Sequence, residues 1–514
     1  MKRSTLLASL SFVLLLSACH KDPVAPRSGT SASVLAERTT TSATPTGDPL
    51  TRAELDRQVI DMLEARNDFH WEWVDLRTLW SAVQYNDHSL AIGYAPTDYG
   101  DIDDIIHTID IQRPEWRAVH DALIERILEQ LNVGGRGQVT LRDILLEDDP
   151  VLPILTLRIT DKDVITMLRN LKNVRYVEPL DYWPGTAEER STSGCDGSSE
   201  PLNGADFNAT TPNALVPWNF NIHGIPTAWN NAQGNGITIG LIDGGISSAQ
   251  SLLGSDFNNG DSNVGRTVTT GYTYGGAAYT TCTHGNSMAG LAVGPRNNMG
   301  ASSGVAYRSG LHFIRACEDV VLDEGGELTG VKNALVALGN NPAVRVISMS
   351  VGTPFSSGKL RDGVNYAHGN GKLLMAAAGT SFSWTSWWGV IYPAVLNKCT
   401  AITGVNESDG TCESCHDGSE VDFTIMMERD ANTARNSLSL PASGTTPTYI
   451  GGSSAATATA AGIAALVWSV NPNKGRGAVL NCLKNTAQFP TGNGGDHGYG
   501  KLNADAAVNC ALAW

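Results

Sequence analysis

Three short stretches of this 514-residue chain combine residue types that can carry out acyl chemistry together. Ile242-Asp243-Gly244-Gly245 ends an apolar run in a carboxylate on a glycine-softened turn. Cys282-Thr283-His284-Gly285-Asn286 places an imidazole at the head of a small-residue run that reaches Gly290. Gly451-Gly452-Ser453-Ser454 presents two hydroxyls at the mouth of an Ala-rich stretch of high helix propensity. Each alone has an ordinary structural explanation: Asp243 as a turn former, His284 as a helix amino-terminal residue, Ser454 as a helix cap. Together they supply a hydroxyl, an imidazole to take its proton and a carboxylate to orient that imidazole, the set that nucleophilic hydrolysis of an acyl group requires. A hydroxyl at a helix amino terminus also lies beside unpaired N–H groups, which favour negative charge developing on a bound carbonyl oxygen.

The elements that must position these residues follow from the hydrophobic pattern. Apolar, β-rich runs at residues 237–242, 311–316, 344–350, 373–378 and 400–405 alternate with helix-like stretches. Continuous apolar strands separated by helices predict an α/β fold, a doubly wound and mostly parallel sheet with function gathered at the carboxyl ends of its strands. Upstream, residues 51–183 read as a smaller α+β unit. Thr51 opens a helix with Glu54 completing a capping box and Leu55, Val59, Ile60 and Leu63 on one face. A second helix spans Pro114 to Leu131 and a third residues 161–171, with strands at 88–94, 152–159 and 174–178. Residues 184–216, dense in Ser, Thr, Gly, Asn and Pro, read as an exposed linker open to proteolysis.

Composition narrows the function class. With 41% hydrophobic and 17% charged residues the chain is globular rather than disordered or coiled-coil. A formal charge of -16 disfavours nucleic acid and anionic lipid as partners, and a monomer is expected. Residues 1–18 read as an export signal: Lys2 and Arg3 precede an apolar run that closes in Leu16-Ser17-Ala18-Cys19. Residues 19–50 read as a flexible tether. Setting Cys19 aside leaves Cys195, Cys282, Cys317, Cys399, Cys412, Cys415, Cys482 and Cys510, an even set that suggests disulfides in an exported chain. Cys412-x-x-Cys415 is read as a disulfide rather than a metal pair, because no second such pair accompanies it.

The order Asp, His, Ser along the chain is that of subtilisin. Residues from about 217 to 514 resemble a subtilase, a subtilisin-like serine peptidase, in several further motifs. Ser348-Met349-Ser350-Val351-Gly352 is similar to the family's substrate-binding strand, and Ala376-Ala377-Ala378-Gly379 to the wall of its first specificity pocket. Tyr392-Pro393-Ala394 and the closing His497-Gly498-Tyr499-Gly500 add to the match.

The resemblance implies Ser454 as nucleophile, His284 as general base and then acid, and Asp243 as the group that holds the imidazole tautomer. It implies substrate contacts from Ser350, Val351, Gly352, Ala377, Ala378 and Gly379. Oxyanion donors would be the backbone N–H of Ser454 and the side chain of Thr380, which stands where the family usually has Asn. Residues 51–183 occupy the place of a propeptide that inhibits its own enzyme until cut, and Leu-Ser-Ala-Cys resembles a bacterial lipobox, with Cys19 the lipidated residue.

The implied protein is a secreted or lipid-tethered serine endopeptidase made as a zymogen. Its precursor would be an outer-membrane or cell-surface lipoprotein, and its product periplasmic or extracellular. Protein or peptide substrates with uncharged side chains before the cut are expected, with Phe382, Trp384, Trp387 and Trp388 lining an extended cleft or, alternatively, capping the core. No cofactor is required for the chemistry. Structural Ca²⁺ is a family habit, for which Asp256, Asn258 and Asp261, or Glu318 and Asp319, offer oxygens, although neither set completes a loop motif. The alternative, motivated by Thr380, is a catalytically impaired subtilase fold kept as a peptide-binding surface lipoprotein.

Overall fold

The computed structural model describes residues 34–85, 87–133, 138–184, 195, 198–380 and 389–514. Two units follow one another. The amino-terminal unit contains helices α1 (Arg52–Arg66) and α2 (Leu76–Gln84), strand β1 (Ser89–Tyr94) and helix α3 (Pro114–Leu131). The short helix α4 (Leu141–Ile144), strands β2 (Leu145–Asp148) and β3 (Ile154–Arg158), helix α5 (Lys162–Asn170) and strand β4 (Val174–Pro179) complete it. Thr51 forms the expected capping box with Glu54, and Leu55, Val59 and Leu63 of α1 are buried at helical spacing. From β1 onward the order β-α-β-β-α-β folds into an antiparallel sheet β2-β3-β1-β4, a split βαβ arrangement with helices on one face.

Residues 34–50 carry contacts to the amino-terminal unit. Glu37 bridges Leu171, Arg38 N–H donates to Asn170 O at 2.7 Å, and the Asn170 and Asn173 side chains accept from Ser42 and Ala36 at 2.8 Å. Two asparagines at the end of α5 thus supply the polar partners that a Ser/Thr/Pro-rich segment lacks internally.

The carboxy-terminal unit begins with a hairpin, β5 (Phe207–Thr210) and β6 (Ala214–Pro217), inside the segment read as an exposed linker. Its anchor is the fully buried Asp206, whose carboxylate accepts from Arg429 at 3.1 Å, Arg435 at 2.6 Å and Tyr449 at 2.6 Å. Helices α6 (Trp218–Ile222) and α7 (Ile225–Ala228) lead into β7 (Thr238–Asp243) and β8 (Val268–Tyr272). Then α8 (His284–Val293), β9 (Gly310–Arg315), α9 (Gly325–Asn340), β10 (Val344–Met349), α10 (Gly358–Gly369), β11 (Leu373–Ala377), β12 (Cys399–Asn406) and β13 (Phe423–Glu428) alternate. The small hairpin β14 (Ser437–Ser439) and β15 (Thr448–Ile450), then α11 (Gly452–Val470), α12 (Arg476–Thr486) and α13 (Ala504–Leu512), close the chain.

All seven strands of the main sheet are parallel, in the order β13-β12-β11-β10-β7-β9-β8. Helices α8 and α11 pack with α12 and α13 in one core, and α9 and α10 cover the opposite face in another, which is the doubly wound α/β fold. Helix α11 is the one described helix long and apolar enough to cross a membrane, and 83% of its most apolar window is buried inside the protein. It is the core helix around which the unit is built.

The amino-terminal unit sits on α9 and α10. Glu147 accepts from Lys332 at 2.9 Å and Lys359 at 2.7 Å, and Arg175 forms a fork with Asp362 at 2.8 and 2.7 Å. Carboxylates also meet both helix amino termini: Glu178 accepts from Gly358 N–H and Asp181 from Gly325 N–H, each at 2.7 Å. A second grip comes from the loop after α1. Its Phe69 carbonyl accepts from Ser356 N–H at 3.0 Å, and Asp68 accepts from the Tyr392 hydroxyl at 2.7 Å. Phe69 and Trp183 both meet Phe355 edge-on, with ring centroids 5.5 Å apart.

Candidate active site

Asp243 is the last residue of β7, at the carboxyl end of a strand flanked by β10 and β9, and its side chain is wholly buried. Both of its carboxylate oxygens lie 2.9 Å from Nδ1 of His284, the first residue of α8. Gly244 N–H donates to Asp243 Oδ1 at 2.8 Å and holds the carboxylate in place. The arrangement puts the imidazole proton on Nδ1 and leaves Nε2 as the basic atom. Burial opposes protonation of His284, but the Asp243 charge and hydrogen bond outweigh it and, with Asp319, hold the pKa above its ordinary value.

Ser454 stands in the first turn of α11. Gly452 turns into that helix at φ +75°, a left-handed conformation in which a side chain would be strained. Ser454 retains 9% exposure, against 3% for His284 and none for Asp243, so it is the member of the three most open to solvent. Its carbonyl accepts from Ser350 Oγ at 3.1 Å. Among the described residues no hydrogen bond joins Ser454 Oγ to His284; such contacts are commonly loose before a substrate is bound. The structure thus joins Asp243 to His284 directly and sets Ser454 against the strand end at Ser350.

Thr380 lies where β11 runs out. Its Oγ1 is 3.1 Å from Ser453 Oγ, and Ser453 Oγ accepts from Gly379 N–H at 3.2 Å. Ser453 therefore links the helix mouth to the Gly379–Thr380 wall, a role that its sequence position beside Ser454 only hinted at. Ala377 and Ala378 are buried; Ala378 N–H donates to Ile402 O and its carbonyl accepts from Ile391 N–H, both at 2.9 Å. Gly379, at φ +130°, has the His416 ring packed where a Cβ would go, 2.4 Å from Nδ1. The second wall, Ser350, Val351 and Gly352, is also buried, and its edge is in use: Gly352 N–H donates to Val320 O and its carbonyl accepts from Leu322 N–H, both at 2.8 Å.

The turn after Asp243 is packed rather than loose: a Cβ on Gly244 would lie 3.0 Å from the Glu318 carbonyl. Among the described residues three disulfides form, Cys195–Cys282, Cys412–Cys415 and Cys482–Cys510, while Cys317 and Cys399 are buried thiols. Cys195 meets the site itself, because its carbonyl accepts from Thr283 N–H at 3.1 Å and Thr283 Oγ1 at 2.8 Å, next to His284.

Two of the residues that offered calcium oxygens, Asn258 and Asp261, have protein partners. The Asn258 amide is engaged at both ends by the Arg266 backbone, at 2.8 and 3.0 Å, and Asp261 faces Arg296 at 3.4 Å. No group of three or more His, Cys, Asp or Glu side chains that could hold a metal occurs among the described residues. Cys19, Phe382, Trp384, Trp387 and Trp388 lie outside the described residues.

A parallel doubly wound sheet that carries Asp, His and Ser in that chain order, at one strand end and two helix starts, defines a subtilisin-like serine peptidase. The chain belongs to the subtilase family, whose model matches residues 234–501, and it is a serine-type endopeptidase. It is 29% identical over 304 residues to M-protease of Shouchella clausii (strain KSM-K16), a match covering 59% of this chain and 72% of that protein. Thermitase of Thermoactinomyces vulgaris is 29% identical over 287 residues, covering 55% of this chain and 92% of that protein. The crystal structure of fervidolysin from Fervidobacterium pennivorans, a keratinolytic enzyme related to subtilisin, aligns with a TM-score of 0.55 at 17% identity. That alignment covers 82% of this chain and 60% of fervidolysin.

Proposed function

We propose that the protein is an exported endopeptidase made as a zymogen, cleaving peptide bonds through an acyl-enzyme on Ser454. The observation that carries this reading is the pair of 2.9 Å contacts from the Asp243 carboxylate to His284 Nδ1, which presents Nε2 as a base. His284 takes the Ser454 proton as Oγ attacks the substrate carbonyl, then returns it to the leaving amine. The backbone N–H of Ser454 and the hydroxyl of Thr380 donate to the oxyanion. Residues Ala377–Gly379 hold the substrate, and Ser350–Gly352 join them once the bonds of Gly352 to Val320 and Leu322 give way.

Residues 51–183 act as the inhibitory propeptide. The carboxylates at the amino termini of α9 and α10, the buried lysine pairs and the aromatic contacts on Phe355 support that role. The similarity to fervidolysin covers 82% of the chain, more than the carboxy-terminal unit alone supplies, which supports a shared two-unit plan. Export rests on the residue 1–18 signal and on the relatives; Cys19 is the proposed lipid site, and processing within 184–216 on the amino-terminal side of Cys195 releases the enzyme from the membrane. One of the relatives, 30% identical over 323 residues that cover 56% of this chain and 54% of its own length, is named an extracellular protease of Xanthomonas campestris.

The test is to express the full chain as wild type and as Ser454→Ala, following mass and digestion of a denatured protein. Self-trimming and digestion by the wild type alone sustain the proposal. An Ala variant that still trims itself and digests substrate refutes it.

A further inference from the structure

The loop 411–418 lies beside the proposed site, the mechanism leaves it unused, and its chemistry is unusual for a surface connection. A disulfide between Cys412 and Cys415 closes a turn of four residues. Both sulfurs rest on the sheet: a Cβ on Gly404 of β12 would lie 2.8 Å from Cys415 Sγ and 3.3 Å from Cys412 Sγ. Cys412 N–H donates to the Gly404 carbonyl at 3.1 Å, so the loop is fastened to the strand beside β11 at backbone as well as sulfur. From this base it reaches the site. Cys415 forms an antiparallel bridge with Thr380, His416 N–H donates to the Gly379 carbonyl at 3.0 Å, and the His416 ring fills the space beside the Gly379 Cα. The His416 carbonyl is held in turn by Thr403 Oγ1 at 2.5 Å, and its Nδ1 by the Gly389 carbonyl at 2.9 Å.

Two residues of the site, Gly379 and Thr380, are thus backed by a loop whose own shape is set by one covalent bond. The wall has a second support on its other side, where Ser453 Oγ meets Gly379 N–H and Thr380 Oγ1. A threonine hydroxyl is shorter than the amide usually found at this position, so its aim at the oxyanion depends more strictly on where the backbone holds it. We propose that the Cys412–Cys415 disulfide is a positioning brace for catalysis, holding Thr380 at the distance from which its hydroxyl meets the oxyanion. The inference rests on the assignment of Thr380 as a donor. Cys412 and Cys415 touch no reacting atom; they act through Thr380.

The test is a mutant cycle in the full chain: Cys412→Ser with Cys415→Ser as a pair, Thr380→Ala, and the three changes together, with Cys482→Ser/Cys510→Ser as a remote disulfide control. Opening the brace should lower kcat about tenfold with KM changed less than threefold, below the roughly 100-fold or greater loss that follows removal of a strong donor. Thr380→Ala should lower kcat in the braced enzyme and add little once the brace is open, because both changes remove the same interaction. The remote control should lose melting temperature and keep kcat.

If the brace pair folds poorly, the matured wild type is treated with a dithiol, which takes up the two-electron oxidation as its own cyclic disulfide while Cys412 and Cys415 become thiols. Alkylation and mass spectrometry then show whether kcat falls in step with thiols at 412 and 415. A pair variant that melts earlier with kcat unchanged, or effects that multiply in the triple variant, would overturn the brace while leaving the peptidase reading intact. Thr380→Ala with unchanged kcat would remove the donor assignment and the brace together.

Discussion

Lys332 of α9 and Glu147 of β2 face each other across the junction of the two units, with 2.9 Å between Nζ and Oε1 and the lysine wholly buried. Asp149 pairs with the same ammonium, and Lys359, also buried, shares the Glu147 carboxylate. Burial would push Glu147 up, but the two lysines hold its carboxyl below the usual range. Removing one partner of a buried pair strands its charge, which costs about 3–5 kcal/mol. Glu147→Ala strands parts of two pairs at once. If residues 51–183 act as the proposed propeptide, that of the variant should therefore let go on the order of 100- to 1000-fold more readily. The check is the lag before a purified precursor begins to digest substrate, which shortens sharply in Glu147→Ala; an unchanged lag would mean these pairs do not hold the two units together.

Glu178 gives the junction a pH response. Burial pushes its carboxyl up to about 7, against the Arg361 charge and the Gly358 N–H bond. Once the propeptide leaves, the side chain returns to the ordinary range near 4.5, so association takes up a proton. The contribution is full below the free value and is lost as pH rises through about 7. Propeptide affinity should accordingly weaken between about pH 5 and 8, and Glu178→Gln should flatten that slope. Inhibition constants measured for the two proteins across this range decide it, and equal slopes would exclude Glu178 as the source.

As the proposed general base, His284 would set the acid limb of activity. Its pKa is raised because the Asp243 charge and hydrogen bond outweigh burial, and a general base works only when neutral. The kcat/KM profile should therefore rise with pH through a value above the ordinary 6.5 of histidine. Asp243→Asn should shift that limb downward while costing roughly 10⁴-fold in rate, through loss of the correct tautomer. A limb that stays in place in the Asn variant would show that another group titrates.

Thr380→Asn restores the longer amide donor usual at this position. Oxyanion donors of this kind supply about 3–4 kcal/mol of transition-state stabilisation, and the threonine hydroxyl, as the proposed donor, would recover only part of that. Turnover should rise about tenfold with KM nearly unchanged. Steady-state kinetics on one peptide substrate suffice, and an unchanged or lower kcat would contradict the donor assignment.

The central strands were legible because they are apolar along their whole length, as burial on both faces requires. Strand β8, Val268–Tyr272, was not: it is the sheet's edge, its residues stay partly exposed, and Val-Thr-Thr-Gly-Tyr carries no apolar run. The hairpin at Phe207–Pro217 escaped notice for a different reason. Its anchor, Asp206, is held by Arg429 and Arg435, more than two hundred residues away in sequence, and no local pattern reports so distant a partner. Asp243, His284 and Ser454 were readable as types in order. The link from Ser453 to the Gly379–Thr380 wall, the pull of Asp319 on His284 and the pairing of the cysteines arise only when separate loops meet in three dimensions.

Cys195 would give the proposed maturation cut a consequence beyond inhibition. Its bond to Cys282 staples the segment after the propeptide to the residue two before His284. A break on the amino-terminal side of Cys195 lets the propeptide drift away and leaves the new chain end pinned at the rim of the cleft. A break between Cys195 and the hairpin yields two polypeptides that still travel as one molecule until reduced. The same protease, nicked a few residues apart, would thus either shed its inhibitor or carry it on a leash, and gels run with and without reductant would tell the two fates apart.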